Sequence, residues 1–109
     1  MMHSETINGA KIFDWESFHK EFQQKMGFYD GYGNNGNAWL DCMRDMYTNG
    51  EYQSLTKFNL NDGEAFVLRV INTEAWKEND PETFNAFLEM CQICNKEVTH
   101  FYLELKGNT

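Results

Sequence analysis

The sequence predicts an α/β fold: a small, mostly parallel three-stranded sheet packed by helices. Three observations lead there. Short segments of strand composition alternate with stretches whose apolar residues recur at the 3.6-residue helical period. The middle strand segment, Ala65-Phe66-Val67-Leu68-Arg69-Val70-Ile71, is almost continuously apolar, as expected of a central strand covered on both faces. The order strand, helix, loop, helix, strand, helix, strand calls for crossover connections, and these join parallel neighbours. A chain of 109 residues fits a single domain spanning 1–109.

The first strand carries Glu5-Thr6-Ile7 and is predicted to turn at Asn8-Gly9, a dipeptide that tolerates positive φ, before Ala10-Lys11-Ile12. Asp14 then offers a side-chain acceptor to the free amides of a helix. Trp15, Phe18, Phe22 and Met26 form one helical face, and Gly27 is a suitable terminator. Residues 28–37 hold three glycines and three asparagines, the composition of a loop built from tight turns. A second helix is predicted from Ala38 through Met46 or Tyr47, closed by Asn49-Gly50. Residues 48–63 are polar and weakly patterned, apart from a possible short strand at Lys57–Leu60. After the central strand, Asp80-Pro81-Glu82 marks a helix start, with an acidic cap and proline at the first position. Phe84, Phe87, Leu88, Cys91 and Cys94 give that helix its apolar stripe. From Thr99 to Lys106 the pattern alternates, with Phe101, Leu103 and Leu105 on one side and His100, Tyr102 and Glu104 on the other.

Charge narrows the choice of partner. Nine Lys and Arg stand against seventeen Asp and Glu, giving a net charge of −8 and a pI near 4.7. Such a surface repels nucleic acid and anionic membrane, and its long-range field attracts basic partners. No stretch approaches the ~20 apolar residues of a membrane span. Met1-Met2-His3-Ser4-Glu5 lacks the basic and apolar regions of a signal peptide. The expectation is therefore a cytoplasmic protein whose three cysteines stay reduced.

Catalytic and cofactor patterns are missing. Gly31-Tyr32-Gly33-Asn34-Asn35-Gly36 matches G-x-G-x-x-G in spacing, but it follows a helix instead of a strand, and Asp30 and Asp41 would repel a phosphate. Cys91-Gln92-Ile93-Cys94 lies turns inside a helix, away from the N-terminus that would stabilise a thiolate. No second Cys or His pair completes a zinc site. His3, His19 and His100 read as tail, helix surface and outer strand face. Asp41 and Asp45 read as a solvated helix face. The expectation is a protein that is not an enzyme and uses no metal or cofactor.

One segment carries a more specific signal. Ile7-Asn8-Gly9, Ile12, Phe18-His19 and Met26, followed by Tyr32-Gly33-x-Asn35-x-x-Ala38-x-x-Asp41-Cys42, resemble the barstar family of ribonuclease inhibitors. The match runs from Ile7 to Met43, about a third of the chain. The resemblance implies an intracellular inhibitor or immunity protein that binds, as a monomer or in a 1:1 complex, the basic active site of a ribonuclease toxin. In that family the loop and the second helix enter the enzyme's cleft, and a helix aspartate takes the place of a substrate phosphate. Asp41 holds that position here, and Gly33 and Asn35 match the residues that shape the loop. Tyr32 matches a tyrosine whose role is compatible with structure.

The departures are specific. The family's aspartate before the alanine is Asn37 here. Its Leu-Trp pair is reversed to Trp39-Leu40, which moves the aromatic about 100° around the helix. One of that pair is expected in the core and the other at the contact rim. Gly31 stands where an aromatic is frequent, and the stretch 44–63 is long. Tyr29 is a further candidate contact. A second acidic contact corresponds to Glu82 or to the position of Asn85. Together the departures imply a partner different from the family's usual ribonuclease. The alternatives are the same fold directed against a non-ribonuclease toxin or another basic partner, and a small enzyme of unrecognised type.

Overall fold

A computed structural model describes residues 2–108. The elements are β1 (Met2–Asn8), α1 (Trp15–Met26), α2 (Gly36–Arg44), β2 (Ala65–Ile71), α3 (Thr73–Asn79), α4 (Pro81–Glu97) and β3 (Phe101–Leu105). The sheet order is β1-β2-β3 with both pairings parallel. The α/β class and the central place of β2 are therefore as expected.

The helix ends follow from local chemistry. Asp14 caps α1 by accepting from the Ser17 amide at 2.7 Å, while the Ser17 hydroxyl accepts from the Asp14 amide. This reciprocal pairing satisfies two amides that the first turn leaves open. Gly27 ends the helix in the left-handed conformation, φ 67°. Asp80 caps α4, with Pro81 at its first position.

Other expectations are corrected. Asn8-Gly9 does not turn the strand back. Asn8 is extended and caps a single 3-10 turn at Gly9–Lys11. Glycine is needed there for close approach, since a Cβ on Gly9 would stand 2.9 Å from the Asn72 carbonyl oxygen. His3 is part of β1 and pairs with Glu64 at 3.2 Å, so it is no tail. His100 belongs to the turn before β3, with φ 63°. Residues 57–60 form no strand among the described residues; Leu60 makes one parallel bridge to Tyr47. The helix α3 has no counterpart in the elements expected from the sequence.

The sheet is covered more on one side than the other. Phe66, Leu68 and Val70 of β2 are buried, while Ala65, Val67, Arg69 and Ile71 are half-buried. The near-continuous hydrophobicity of this strand thus overstates its cover. On the open face Thr6, Arg69 and Glu104 share one row, and Arg69 pairs with Glu104 at 3.3 Å. The covered face meets an aromatic core in which Phe18, Phe22, Trp39, Trp76 and Phe87 are all fully buried. Burial of such rings contributes roughly 1.5–3 kcal/mol each. This core fixes α1, α2 and α4, and so sets the surface that α2 presents.

Candidate functional site

The outward surface of α2 starts at its cap. Asn35 Oδ1 accepts from the Ala38 amide at 2.8 Å, and Asn35 Nδ2 donates to the Gly33 carbonyl at 3.2 Å. One side chain therefore both starts the helix and holds the loop before it. Gly33 lies close beneath: an added Cβ would meet Asn35 Nδ2 at 3.2 Å and the Ala38 Cβ at 3.5 Å. The loop is thus fixed by its own side chains before any partner arrives, which lowers the ordering cost of binding.

The loop is tied to α1 as well. Tyr32 is 5% exposed, and its hydroxyl lies 2.5 Å from His19 Nδ1. Burial raises the Tyr32 pKa and so keeps the phenol protonated; burial also lowers the His19 pKa below its usual value of 6.5. A neutral imidazole then accepts at Nδ1 while the phenol donates. His19, expected on the helix surface, is in fact buried (4% exposed) and lies against Trp15. Trp15 takes the exposed edge of the face instead, at 38%.

This pair gives a pH prediction. The folded-state pKa of His19 is depressed, so its contribution to stability is complete above pH 6.5 and is lost as pH falls below that value. The urea midpoint of the parent should fall between pH 7 and pH 5, before most carboxylates titrate. His19→Gln should flatten this dependence; an equally steep decline in the variant would refute it.

Asp41 is where the family pattern and the geometry meet. Its side chain is 64% exposed, and Oδ1 accepts from Arg44 Nη2 at 2.8 Å. Arg44 also reaches Glu97 through Nη1, tying α2 to α4. The hydrogen bonds to Glu97 and Asp41 raise the Arg44 pKa. Among the described residues Oδ2 of Asp41 has no hydrogen-bond donor, so that oxygen is open to an incoming cation.

Asp45, one turn on, is not the solvated carboxylate expected. It is half-buried and accepts from the Leu55 amide at 2.8 Å and the Tyr52 hydroxyl at 3.3 Å. Its work is to hold the segment after α2 against the helix.

The remaining candidates divide. Trp39 is fully buried, so it offers no surface to a partner, and its place among the contacts is corrected. Leu40 is half-buried at the edge of the core. Asn37 and Tyr29 are exposed. Tyr32 is buried and acts through the loop. Glu82 and Asn85 are exposed near the start of α4. The two helices run side by side: Gly36 faces the Met90 sulfur, and Arg44 faces Glu97. Glu82 precedes Met90 by eight residues, about 12 Å of helix. It therefore stands well beyond the α2 N-terminus and is not brought beside Asp41.

The cysteines are buried and unbridged. Burial pushes Cys94 up to about 11 and raises Cys91 further; burial, with Asp41 and Asp45 nearby, pushes Cys42 up to about 11. These are thiols held away from the reactive thiolate form. Among the described residues no group of His, Cys, Asp and Glu is arranged to hold a metal ion. No helix among them is long and apolar enough to cross a membrane.

A stiff loop feeding a helix with one exposed carboxylate, Asp41, over an aromatic core suits a small protein-binding module. The chain belongs to the barstar family: the family model described as Barstar (barnase inhibitor) matches residues 2–106. Members of that family are inhibitors rather than enzymes, and their partner is a ribonuclease. Comparison with curated proteins finds no match.

Proposed function

We propose that this protein binds and blocks the active site of a ribonuclease of the barnase kind, with Asp41 standing where a substrate phosphate would bind. The observation that carries this reading is the open Oδ2 of Asp41 on an exposed helix turn behind a loop that is already fixed. A ribonuclease cleft must hold phosphate and so presents converging cationic donors. One acceptor-only carboxylate can satisfy several of them through charge-assisted hydrogen bonds. Gly33 and Asn35 shape the approach, and Asn37, Leu40 and Tyr29 supply contact area around it. The expected stoichiometry is 1:1.

The test is RNA cleavage by barnase with rising amounts of the protein. Asn37 lacks the charge of the family's aspartate, so a concentration above that needed for a cognate pair is expected. The phosphate-binding cations are nonetheless common to such enzymes, and cleavage should still be abolished at saturation. Undiminished cleavage at a large excess overturns the reading.

The net charge of −8 adds a kinetic expectation. Association should slow markedly as salt rises, while dissociation changes less, because long-range attraction accelerates encounter more than it holds the complex. An association rate that is independent of salt in stopped flow would exclude electrostatic steering.

A further inference from the structure

The segment after α2 is part of the same surface, although no family pattern points to it. Asp45 holds it at two points, the Leu55 amide and the Tyr52 hydroxyl. The Leu55 carbonyl accepts from the Tyr29 amide at 2.9 Å, and the Lys57 amide donates to the Met26 carbonyl at 2.9 Å. Ser54, buried, binds the Phe58 carbonyl and the Thr56 hydroxyl. So the segment is neither a solvated excursion nor free to swing; it is fastened to the docking helix and to the loop before it.

This fastening leaves two aromatic rings exposed. Tyr52 is 53% exposed and Tyr29 is 45% exposed. Asp45 lies four residues after Asp41, on nearly the same helix flank, and the Tyr52 hydroxyl is held by Asp45. The Tyr52 hydroxyl is thereby held at the carboxylate that follows Asp41 by about one helical turn, with Asp45 and Glu51 adding negative charge around it. A tyrosine whose hydroxyl is already committed offers its face, and an aromatic face in an acidic setting attracts a guanidinium or ammonium group.

We infer that residues 48–56 form a second limb of the docking surface, in which Tyr52 is a specificity-determining contact that receives an arginine or lysine from the rim of the ribonuclease cleft. The inference rests on the proposed function. The rim of a cleft that tracks a polyanion carries such cations beyond those that hold the scissile phosphate. Asp41 would then engage the centre of the cleft and Tyr52 its edge.

Calorimetric titration against catalytically inactive barnase, with circular dichroism to confirm folding, tests this. Tyr52→Ala should weaken binding by about tenfold, within the range of a partly desolvated cation–aromatic contact. Tyr52→Phe, which keeps the ring and loses the hydrogen bond to Asp45, should stay within about threefold of the parent. If Tyr52→Ala binds as the parent does while Asp41→Ala is weakened, the second limb is wrong and the inhibitor reading stands. If Tyr52→Phe loses as much as Tyr52→Ala, the hydroxyl and not the ring is at work, and the stacking contact is overturned. A parent that does not bind overturns the inhibitor reading and this inference with it.

Discussion

Asp41→Ala is expected to cost at least ~2 kcal/mol of binding free energy, roughly thirtyfold in Kd, against a barnase-type ribonuclease. That threshold is the general one for interface hot spots, of which the barstar family supplies a known example. The magnitude is therefore the general one; the position follows from the family motif, and the structure adds the exposure of the Asp41 side chain. The cost has two sources. The variant loses a charge-assisted acceptor, and the enzyme's cationic donors are left covered and unpaired. Arg44 adds a third effect peculiar to this chain: without Asp41 it keeps, among the described residues, Glu97 alone as an acidic partner, so its charge faces a basic cleft opposed by one carboxylate instead of two. Asp41→Asn should also weaken binding, because shape is kept and charge is lost. Asp45→Ala should cost less binding than Asp41→Ala but should loosen the segment that Asp45 anchors. Calorimetric titration of the three variants, each checked for folding, decides the matter. Binding by Asp41→Ala as tight as the parent's would exclude phosphate mimicry by this residue.

Much of this arrangement is legible in the sequence, and the part that is not has a common cause. Strand and helix positions follow from periodicity and caps that act within a few residues: Asp14, Gly27 and Asp80-Pro81 mark ends that the structure keeps. The helix α3 escaped because Thr73–Asn79 is two turns long and carries one large apolar residue, Trp76, too few to define a period. It is fixed instead by tertiary contact, with Trp76 against Phe84 and Phe87. For His19 the sequence does hold a signal of burial: it follows Trp15 by four residues and precedes Phe22 by three, which puts it on the apolar face. Its polarity argued for the surface, and only the Tyr32 hydroxyl, thirteen residues away, makes burial affordable. At the candidate site, Asp41, Asn35 and Gly33 were found by a local motif. Arg44 with Glu97, and Asp45 with Leu55, join residues ten to fifty-three apart, and no local pattern reports such pairs.

Trp39→Ala should have the largest effect on stability, about 3–5 kcal/mol, the usual cost of emptying a buried aromatic site. The reversed Trp39-Leu40 pair makes the test informative, because a helix cannot point adjacent side chains the same way. Trp39 is the inward member. Its ring centroid lies 5.5 Å from that of Phe22, 6.0 Å from Phe87 and 6.3 Å from Phe18. Truncation would therefore open a cavity where α1, α2 and α4 meet, and those helices cannot close on it without moving the sheet they cover. Against a typical total of 5–15 kcal/mol, the loss is a large share of the stability. Trp39→Phe should cost much less. The indole Nε1 is buried with no hydrogen-bond partner among the described residues, so the smaller ring leaves some void but removes an unsatisfied donor. Leu40→Ala, at the half-buried edge, should lower stability less than Trp39→Ala and show its effect in partner binding. Urea unfolding followed by far-UV circular dichroism ranks the three: Trp39→Ala should have the lowest midpoint, well below Trp39→Phe. A midpoint for Trp39→Ala equal to the parent's would mean that the indole does not hold the core, and the orientation of α2, and with it the outward placement of Asp41, would have to be redrawn.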